Sequence, residues 1–125
     1  SVPPGRLSDG TLRFVMLALL LMNPDPPPLL CIEEPELGLH PDLIHVVAEM
    51  LIEASERTQI IITTHSDILV SALQSVPDSV VVFERDEEGL TQMRRLEDNN
   101  QLREWLQEYS LGELWKRGYI GGNRW

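Results

Sequence analysis

The chain has 125 residues, of which 42% are hydrophobic, so it fits a single domain with enough apolar side chains for a packed core. Its 20 acidic and 10 basic residues give a net charge of −10. This charge argues against a chain that itself grips nucleic acid, because phosphate contacts require clustered Lys and Arg. We expect any DNA or RNA binding to come through other regions.

The N-terminal part predicts a loop followed by an apolar helix. Residues 1–7 are rich in proline and glycine, and Ser8 is placed to cap a helix over residues 9–22. Apolar side chains lie nearly all round this helix, which predicts burial on most sides. The apolar stretch 14–22 is too short for a bilayer, which needs about 20 residues, and no secretory cleavage pattern is present. We therefore expect no membrane partner.

Two short apolar runs predict the central strands. The proline-rich segment 23–28 ends the first helix, and residues 29–32 then form a continuous apolar run typical of a strand buried on both faces. The single cysteine, Cys31, lies in this run, which indicates a core thiol in a reducing, cytoplasmic compartment. Residues 59–63 predict a second buried strand.

A loop and a helix connect these strands. Residues 33–40 form the loop, and Pro41 suits the first position of the helix. One face of this helix should pack on a sheet, since its apolar residues recur at helical spacing: Leu43, Val46, Val47, Met50, Leu51 and Ala54.

The C-terminal part predicts a short helix, a hairpin and an amphipathic segment. Ser66 or Asp67 can cap a helix that ends at Leu73, and residues 79–84 turn through DEEG into residues 90–96. An amphipathic helix follows, marked by Leu102, Trp105, Leu106 and Tyr109. A second apolar group either extends this helix or begins another, and it consists of Leu111, Leu114 and Trp115. A glycine-rich tail closes the chain. Alternating strands and helices predict an α/β fold with a parallel sheet.

Adjacent carboxylates follow the first buried strand. Loops at the carboxyl ends of strands are where open α/β sheets bind ligands. Glu33 and Glu34 would repel each other there unless a cation or proton lies between them, and Mg²⁺ prefers such oxygen ligands. A solvated acidic loop in front of the next helix is the alternative interpretation of these residues.

Two further positions carry possible chemistry. His65, at the end of the second strand, can donate a hydrogen bond to a phosphate oxygen, or it is an ordinary histidine beside a helix cap. Ser8 and the free N–H groups at the first helix N-terminus can bind an anion, with Gly10 allowing close approach. A plain N-cap would explain Ser8 equally.

These motifs occur in a specific order: LSDGT at 7–11, IEEPELGLHP at 32–41 and IIITTHSDILV at 60–70. The series resembles the C-terminal half of ATP-binding-cassette (ABC) ATPases, nearest the SMC-like and RecF-like branch with its ATPases of the overcoming-lysogenization-defect type. The resemblance covers residues 7–84, and SLGELWKRGYIGG at 110–122 also looks like the end of such ATPases. It implies an α/β fold consisting of a partial P-loop NTPase (ABC-type) sheet with flanking helices, with residues 1–125 as one C-terminal ATPase subdomain.

The resemblance also implies roles for individual residues. Glu33 matches the Walker B carboxylate that holds Mg²⁺, and Glu34 matches the glutamate that polarises the attacking water. His65 matches the switch histidine that senses the γ-phosphate of ATP. Ser8 and Gly10 match signature residues that contact ATP bound by the opposite subunit.

Two positions depart from the family pattern, and one further segment matches it. Glu33 stands where the family usually has Asp, and the extra methylene shifts a carboxylate that Mg²⁺ requires in near-ideal octahedral geometry. Asp9 replaces a glycine and places a negative charge near a phosphate site, which should weaken anion binding. Residues 38–42 fall on the D-loop, which crosses the dimer interface in this family.

The phosphate-binding elements are absent from residues 1–125. No G-x-x-x-x-G-K-[ST] motif occurs, and the Q-loop region is missing as well. The family places the P-loop strand between the strands at 59–63 and 79–84, so we expect a weakly stable chain, a rearranged sheet or pairing with a partner. The expected partner is a missing N-terminal half that carries the P-loop, or a second copy in a homodimer. Because the chain begins with Ser1 and not Met, processing, trimming and fragmentation are all open.

Two other classes of function remain as alternatives. A truncated or split product would be a non-catalytic fragment or an interaction module. A metal-dependent hydrolase would use Glu33, Glu34, Glu36 and His40, although the intervening proline and glycine give these side chains no helical spacing to converge.

Overall fold

A computed structural model describes residues 8–122; the predicted loop at 1–7 and the last three residues of the tail lie outside this range. The helices are α1 (Asp9–Leu21), α2 (Pro41–Ala54), α3 (Asp67–Ala72), α4 (Asn100–Glu108) and α5 (Leu111–Lys116). The strands are β1 (Leu29–Glu33), β2 (Gln59–Thr63), β3 (Val81–Arg85) and β4 (Thr91–Arg95), and a 3₁₀ turn covers Pro77–Ser79. The predicted α/β class is confirmed.

The first half of the chain forms a β–α–β unit. β1 and β2 are parallel neighbours, with Leu29 opposite Gln59 and Glu33 opposite Thr63. The crossover helix α2 begins at Pro41, as its sequence predicts, and its buried face is made by Ile44, Val47, Ala48, Leu51 and Ala54. The prediction that Val46 lies on this face is wrong, since Val46 is exposed. Because the strands run in the same direction and in register, the loops after Glu33 and Thr63 leave the sheet at one edge.

The second half contains an antiparallel hairpin. β3 pairs with β4, with Phe83 opposite Met93, and these two strands form a sheet of their own. The predicted hairpin is therefore confirmed. Within residues 8–122, however, β3 does not join the parallel sheet that the alternating strands and helices predicted, since a short turn brings β4 close at little entropic cost. The parallel sheet ends at β2.

The predicted DEEG turn is present and is organised by Asp86. Its carboxylate accepts hydrogen bonds from the side chain of Gln92 and the backbone N–H groups of Glu88 and Leu90, and Gly89 adopts a positive φ of 83°. These bonds, that of Gln92 foremost, hold the pKa of Asp86 below its ordinary value. The turn thus fixes the register of the hairpin.

Two hydrophobic clusters share α3. The first lies under the parallel sheet and is formed by Leu17, Leu21, Leu30, Ile44, Val47, Ala48, Leu51, Ala54 and Leu69. The second lies around the hairpin and is formed by Val70, Val82, Leu96, Leu102, Leu111, Leu114 and Ile120. Consecutive residues of α3, Leu69 and Val70, enter different clusters, so this short helix joins the two halves.

Burial of the parallel sheet differs from the prediction. The strands were expected to be buried on both faces, but Leu29, Cys31 and Ile61 are exposed on one face. The other face carries Ile60 and Ile62, which pack on the first cluster. Helices cover only that face within residues 8–122, so the interpretation of Cys31 as a core thiol is wrong.

α1 has the predicted bounds to within one residue, and Ser8 caps it by accepting a hydrogen bond from the Thr11 N–H at 3.1 Å. Its predicted burial on most sides is wrong. Only Leu17 and Leu21 are buried, whereas one long apolar surface is open to solvent: Leu12, Val15, Met16, Leu19, Leu20 and Met22. α2 packs against one stripe of α1 and leaves the rest of its apolar surface uncovered.

The apolar group at Leu111, Leu114 and Trp115 begins a new helix, α5, and does not extend α4. Of the two possibilities that the sequence leaves open, the second is therefore confirmed. The backbone is extended at Tyr109, and Ser110 then caps α5 by accepting a hydrogen bond from the Glu113 N–H. The Tyr119 ring lies against the rings of Trp105 and Tyr109 in tilted contacts, and so packs the segment after α5 against α4.

Candidate functional site

The loops that follow β1 and β2 meet at the carboxyl edge of the parallel sheet. Glu34 directly follows β1, and its backbone N–H donates to the carbonyl oxygen of Thr63 at 2.8 Å. His65 lies two residues beyond the end of β2. As a result, Glu34 Oε1 and His65 Nε2 are 4.0 Å apart. The structure thus brings together the two residues that the sequence offers as catalytic.

Both side chains are accessible. The Glu34 side chain is 35% exposed and that of His65 is 71% exposed. Their separation exceeds a hydrogen-bond distance, so neither side chain is committed to the other. A ligand at this edge can contact the carboxylate and the imidazole at the same time.

The backbone of Glu34 is held in an uncommon conformation. Its φ is +43°, the one positive φ at a non-glycine residue within residues 8–122, and the left-handed region costs such a residue about 1–2 kcal/mol. Its carbonyl oxygen accepts hydrogen bonds from the Leu37 N–H and from Arg13 Nη2, each at 3.1 Å. These bonds and the one to Thr63 hold the strained residue in place.

Arg13 is a part of this site that the sequence analysis missed. It is a basic residue on the otherwise apolar C-terminal side of the motif LSDGT, and its guanidinium links α1 to the loop that bears Glu34. An isolated cation in an apolar helix was the available signal.

Glu33 is the last residue of β1 and is exposed. Within the described part of the chain its carboxylate has no hydrogen bond or ion pair, so it is available to a cation. It offers the oxygen ligand that Mg²⁺ prefers. No three His, Cys, Asp or Glu side chains in residues 8–122 are placed to hold a metal, so water and phosphate oxygens would have to supply the remaining ligands.

The alternative set of metal ligands is not gathered in the structure. Glu36 is buried and accepts a hydrogen bond from the Thr64 hydroxyl at 2.5 Å. His40 caps α2, where its Nδ1 accepts from the Asp42 N–H at 3.2 Å. Glu36 is thus hydrogen-bonded to Thr64 and His40 to Asp42, and neither is directed at a metal ion shared with Glu33. This argues against the metal-dependent hydrolase.

Ser8 and Gly10 lie at the N-terminus of α1. Ser8 is exposed, while Gly10 packs against the loop after Glu36 so closely that a Cβ atom would overlap the carbonyl oxygen of Gly38. Gly10 therefore has a packing role between α1 and this loop, besides the ligand approach inferred from the sequence.

Replacing Gly10 with alanine should move α1 away from Gly38 and weaken the bond from Arg13 to Glu34. We expect a loss of about 1–3 kcal/mol in the free energy of unfolding, as for other overpacked sites, measured by urea denaturation. Met16→Ala is the matched control on the exposed surface of α1 and should change stability by less than about 0.5 kcal/mol. Equal stability of the two variants would contradict the proposed contact.

The parallel strand pair with its flanking helices makes an α/β domain, with Glu34 and His65 together at one edge of its sheet. Residues 1–71, more than half of the chain, match the family described as "AAA domain, putative AbiEii toxin, Type IV TA system". The chain belongs to this family. A comparison with curated proteins gives no match.

A solved structure supports the same fold. It comes from work on "ATP-driven dimerization and DNA stimulated activation of SMC ATPases", and it superposes with a TM-score of 0.60 at 17% sequence identity. The superposition covers 85% of this chain and 65% of that chain, so the present chain spans only part of the SMC ATPase chain. In residues 8–122, no helix combines the length and the apolar character needed to cross a membrane.

Proposed function

We propose that this chain is the C-terminal part of an ABC/SMC-like ATPase, which binds and hydrolyses ATP once a P-loop is supplied by an N-terminal segment or a partner chain. The observation that carries this proposal is the 4.0 Å approach of Glu34 Oε1 to His65 Nε2 at the carboxyl ends of neighbouring parallel strands. This edge is where open α/β sheets bind ligands.

Glu34 acts as the general base. Its carboxylate is accessible to a water molecule, and its backbone is held on both sides, which fixes the direction of its Cα–Cβ bond. His65 donates a hydrogen bond to the γ-phosphate from the neighbouring loop. The separation between the two side chains leaves the carboxylate free for water and the imidazole free for phosphate.

Glu33 would hold Mg²⁺, and the bound ion would neutralise phosphate charge. The glutamate reaches one methylene farther than the aspartate of related sites. Ser8 and Gly10, at the N-terminus of α1, contact the ATP of an opposite subunit, so the working form is a dimer. The positive end of the helix dipole favours the phosphate there.

The uncovered apolar surface supports completion by a P-loop segment. The open face of the parallel sheet carries Leu29, Cys31 and Ile61, and α1 exposes Met16 and Leu19. Proteins seldom leave large apolar areas in water unless something binds there. The P-loop strand lies next to β2 in the proposed assembly, where β3 does not pair in this structure.

Cys31 provides a test of this assembly that does not depend on catalysis. In the chain alone its exposed thiol should react freely with a thiol reagent such as DTNB. After assembly with the segment that bears the P-loop, we expect the reaction to slow at least about tenfold, since a covered thiol opens to reagent only rarely. ATP hydrolysis is measured on the same sample by phosphate release.

A cysteine on α4, Gln107→Cys in a Cys31→Ser background, is the matched control, because Gln107 is exposed and far along the chain from the sheet. Its labelling rate should be the same in both samples. If Cys31 stays equally reactive in an assembly that hydrolyses ATP, the covering segment lies elsewhere.

The runner-up function is a non-catalytic interaction module. The glutamate at the position where the resemblance places the Walker B aspartate favours it. An assembly that protects Cys31 but releases no phosphate would select this alternative.

A further inference from the structure

Behind the exposed pair, a buried hydrogen bond joins the two loops. The Thr64 hydroxyl donates to Glu36 Oε1 at 2.5 Å, and Thr64 Oγ1 in turn accepts a hydrogen bond from the Ser66 N–H at 2.9 Å. One side chain thereby binds the loop after β1 and holds the start of α3. The hydroxyl uses both its donor and an acceptor site, which fixes its rotamer.

The burial of Glu36 is unusual for a carboxylate. The residue is 8% exposed, and its Oε2 is buried without a hydrogen-bond partner in the described part of the chain. Burying a polar oxygen without a partner costs free energy, and native proteins contain few such groups. The preceding residue, Pro35, is fully buried and anchors this part of the loop. Stability alone therefore gives no reason for a glutamate at position 36.

The spacing of these residues explains what the bond can do. Glu36 lies two residues after Glu34, and Thr64 lies immediately before His65. Glu34 and His65 are accessible to solvent, whereas Glu36 is buried and Thr64 is half-buried. The buried bond therefore lies one or two residues from each member of the exposed pair.

We propose that Glu36 and Thr64 are positioning residues, whose hydrogen bond sets the distance between Glu34 and His65 in the ATPase site. The inference rests on the proposed function. Neither side chain touches the reacting atoms; each acts through the loop that carries its neighbour. A displacement of about 1 Å in such a pair can cost up to about 100-fold in rate.

The first test uses the chain alone and NMR. In the unmodified chain the Ser66 N–H should be protected from hydrogen exchange, and the side chains of Glu34 and His65 should show mutual nuclear Overhauser effects. Thr64→Val keeps the shape of the side chain but removes the hydroxyl, so these effects should weaken or vanish. Thr64→Ser keeps the hydroxyl and should retain them.

The second test uses the assembled ATPase. Thr64→Val should lower kcat by about 10- to 100-fold and keep the KM for ATP within about threefold of the unmodified enzyme. The reason is that the variant still binds ATP but no longer aligns Glu34 with His65. Thr64→Ser should keep kcat within about threefold of the unmodified enzyme. Glu36→Gln retains an oxygen acceptor for Thr64, so its Glu34–His65 contacts should persist.

The outcomes separate this inference from the proposed function. If Glu34→Gln hydrolyses ATP normally, the proposed function fails. If Glu34→Gln is inactive while Thr64→Val turns over like Thr64→Ser, only the positioning role fails. If circular dichroism shows that Thr64→Val does not fold, the NMR measurements on the unmodified chain test the inference instead. An unprotected Ser66 N–H, or missing nuclear Overhauser effects between Glu34 and His65, would overturn it.

Discussion

Replacing Glu34 with glutamine in the assembled ATPase should reduce kcat by about 10²- to 10⁴-fold, the usual contribution of a general base. The amide has the size of the carboxylate but cannot take a proton from the attacking water. The hydrogen bonds that hold this residue involve only its backbone: its N–H donates to Thr63, and its carbonyl oxygen accepts from Leu37 and Arg13. Its conformation should therefore survive the change. Steady-state phosphate release measures the loss.

The same variant should still form ATP-bound dimers, which size-exclusion chromatography with and without ATP can detect. Glu49→Gln is the control, since this glutamate is exposed on α2 and outside the site. It should keep turnover within about twofold. Undiminished hydrolysis by Glu34→Gln would refute the role of the carboxylate and, with it, the proposed chemistry.

Replacing Gly112 with alanine should produce a large loss of stability. Gly112 lies in α5 so close to α3 that a Cβ atom would overlap the Asp67 carbonyl oxygen and the Ser71 hydroxyl. Its N–H also donates to Ser71 Oγ at 2.9 Å, and Lys116 pairs with Asp67 across the same interface at 2.6 Å. We expect a net loss of about 2 kcal/mol, because overpacking outweighs the better helix propensity of alanine.

The effect should extend beyond α5. Since α3 contributes Leu69 to one hydrophobic cluster and Val70 to the other, displacing α5 disturbs the junction between the two halves. Thermal unfolding followed by circular dichroism should show a decrease of roughly 5–10 °C for a chain of this size. Gln107→Ala, exposed on α4, is the control and should unfold within about 2 °C of the unmodified chain. A Gly112→Ala variant that unfolds with the control would mean that the helices lie farther apart.

Local patterns predicted most of the elements. The apolar run before the glutamates became β1, the run QIIIT became β2, and Pro41 starts α2. Parallel order then placed Glu34 and His65 at the same edge of the sheet. These features follow from short-range physics: periodic apolar residues, helix caps and the geometry of a β–α–β crossover.

Burial was predicted less well. Cys31 and Leu19 lie in apolar runs, yet both are exposed, because hydrophobic sequence shows which side chains would gain from burial and not whether a neighbour covers them. The DEEG turn predicted the pairing of β3 with β4, but the sequence did not predict that β3 lies outside the parallel sheet. A strand takes the partners that the chain brings near it, and the sequence of one strand does not specify them.

The sequence by itself determined the order of helices and strands and the chemical groups at the ends of β1 and β2, since these depend on residues close together in the chain. Only the tertiary structure decided how the groups are held. The bond from Arg13 to Glu34 joins residues 21 positions apart, and the buried contact of Glu36 with Thr64 joins residues 28 positions apart. The left-handed backbone of Glu34 is a conformation held against its local preference. Such contacts depend on packing between elements, which no local sequence pattern encodes.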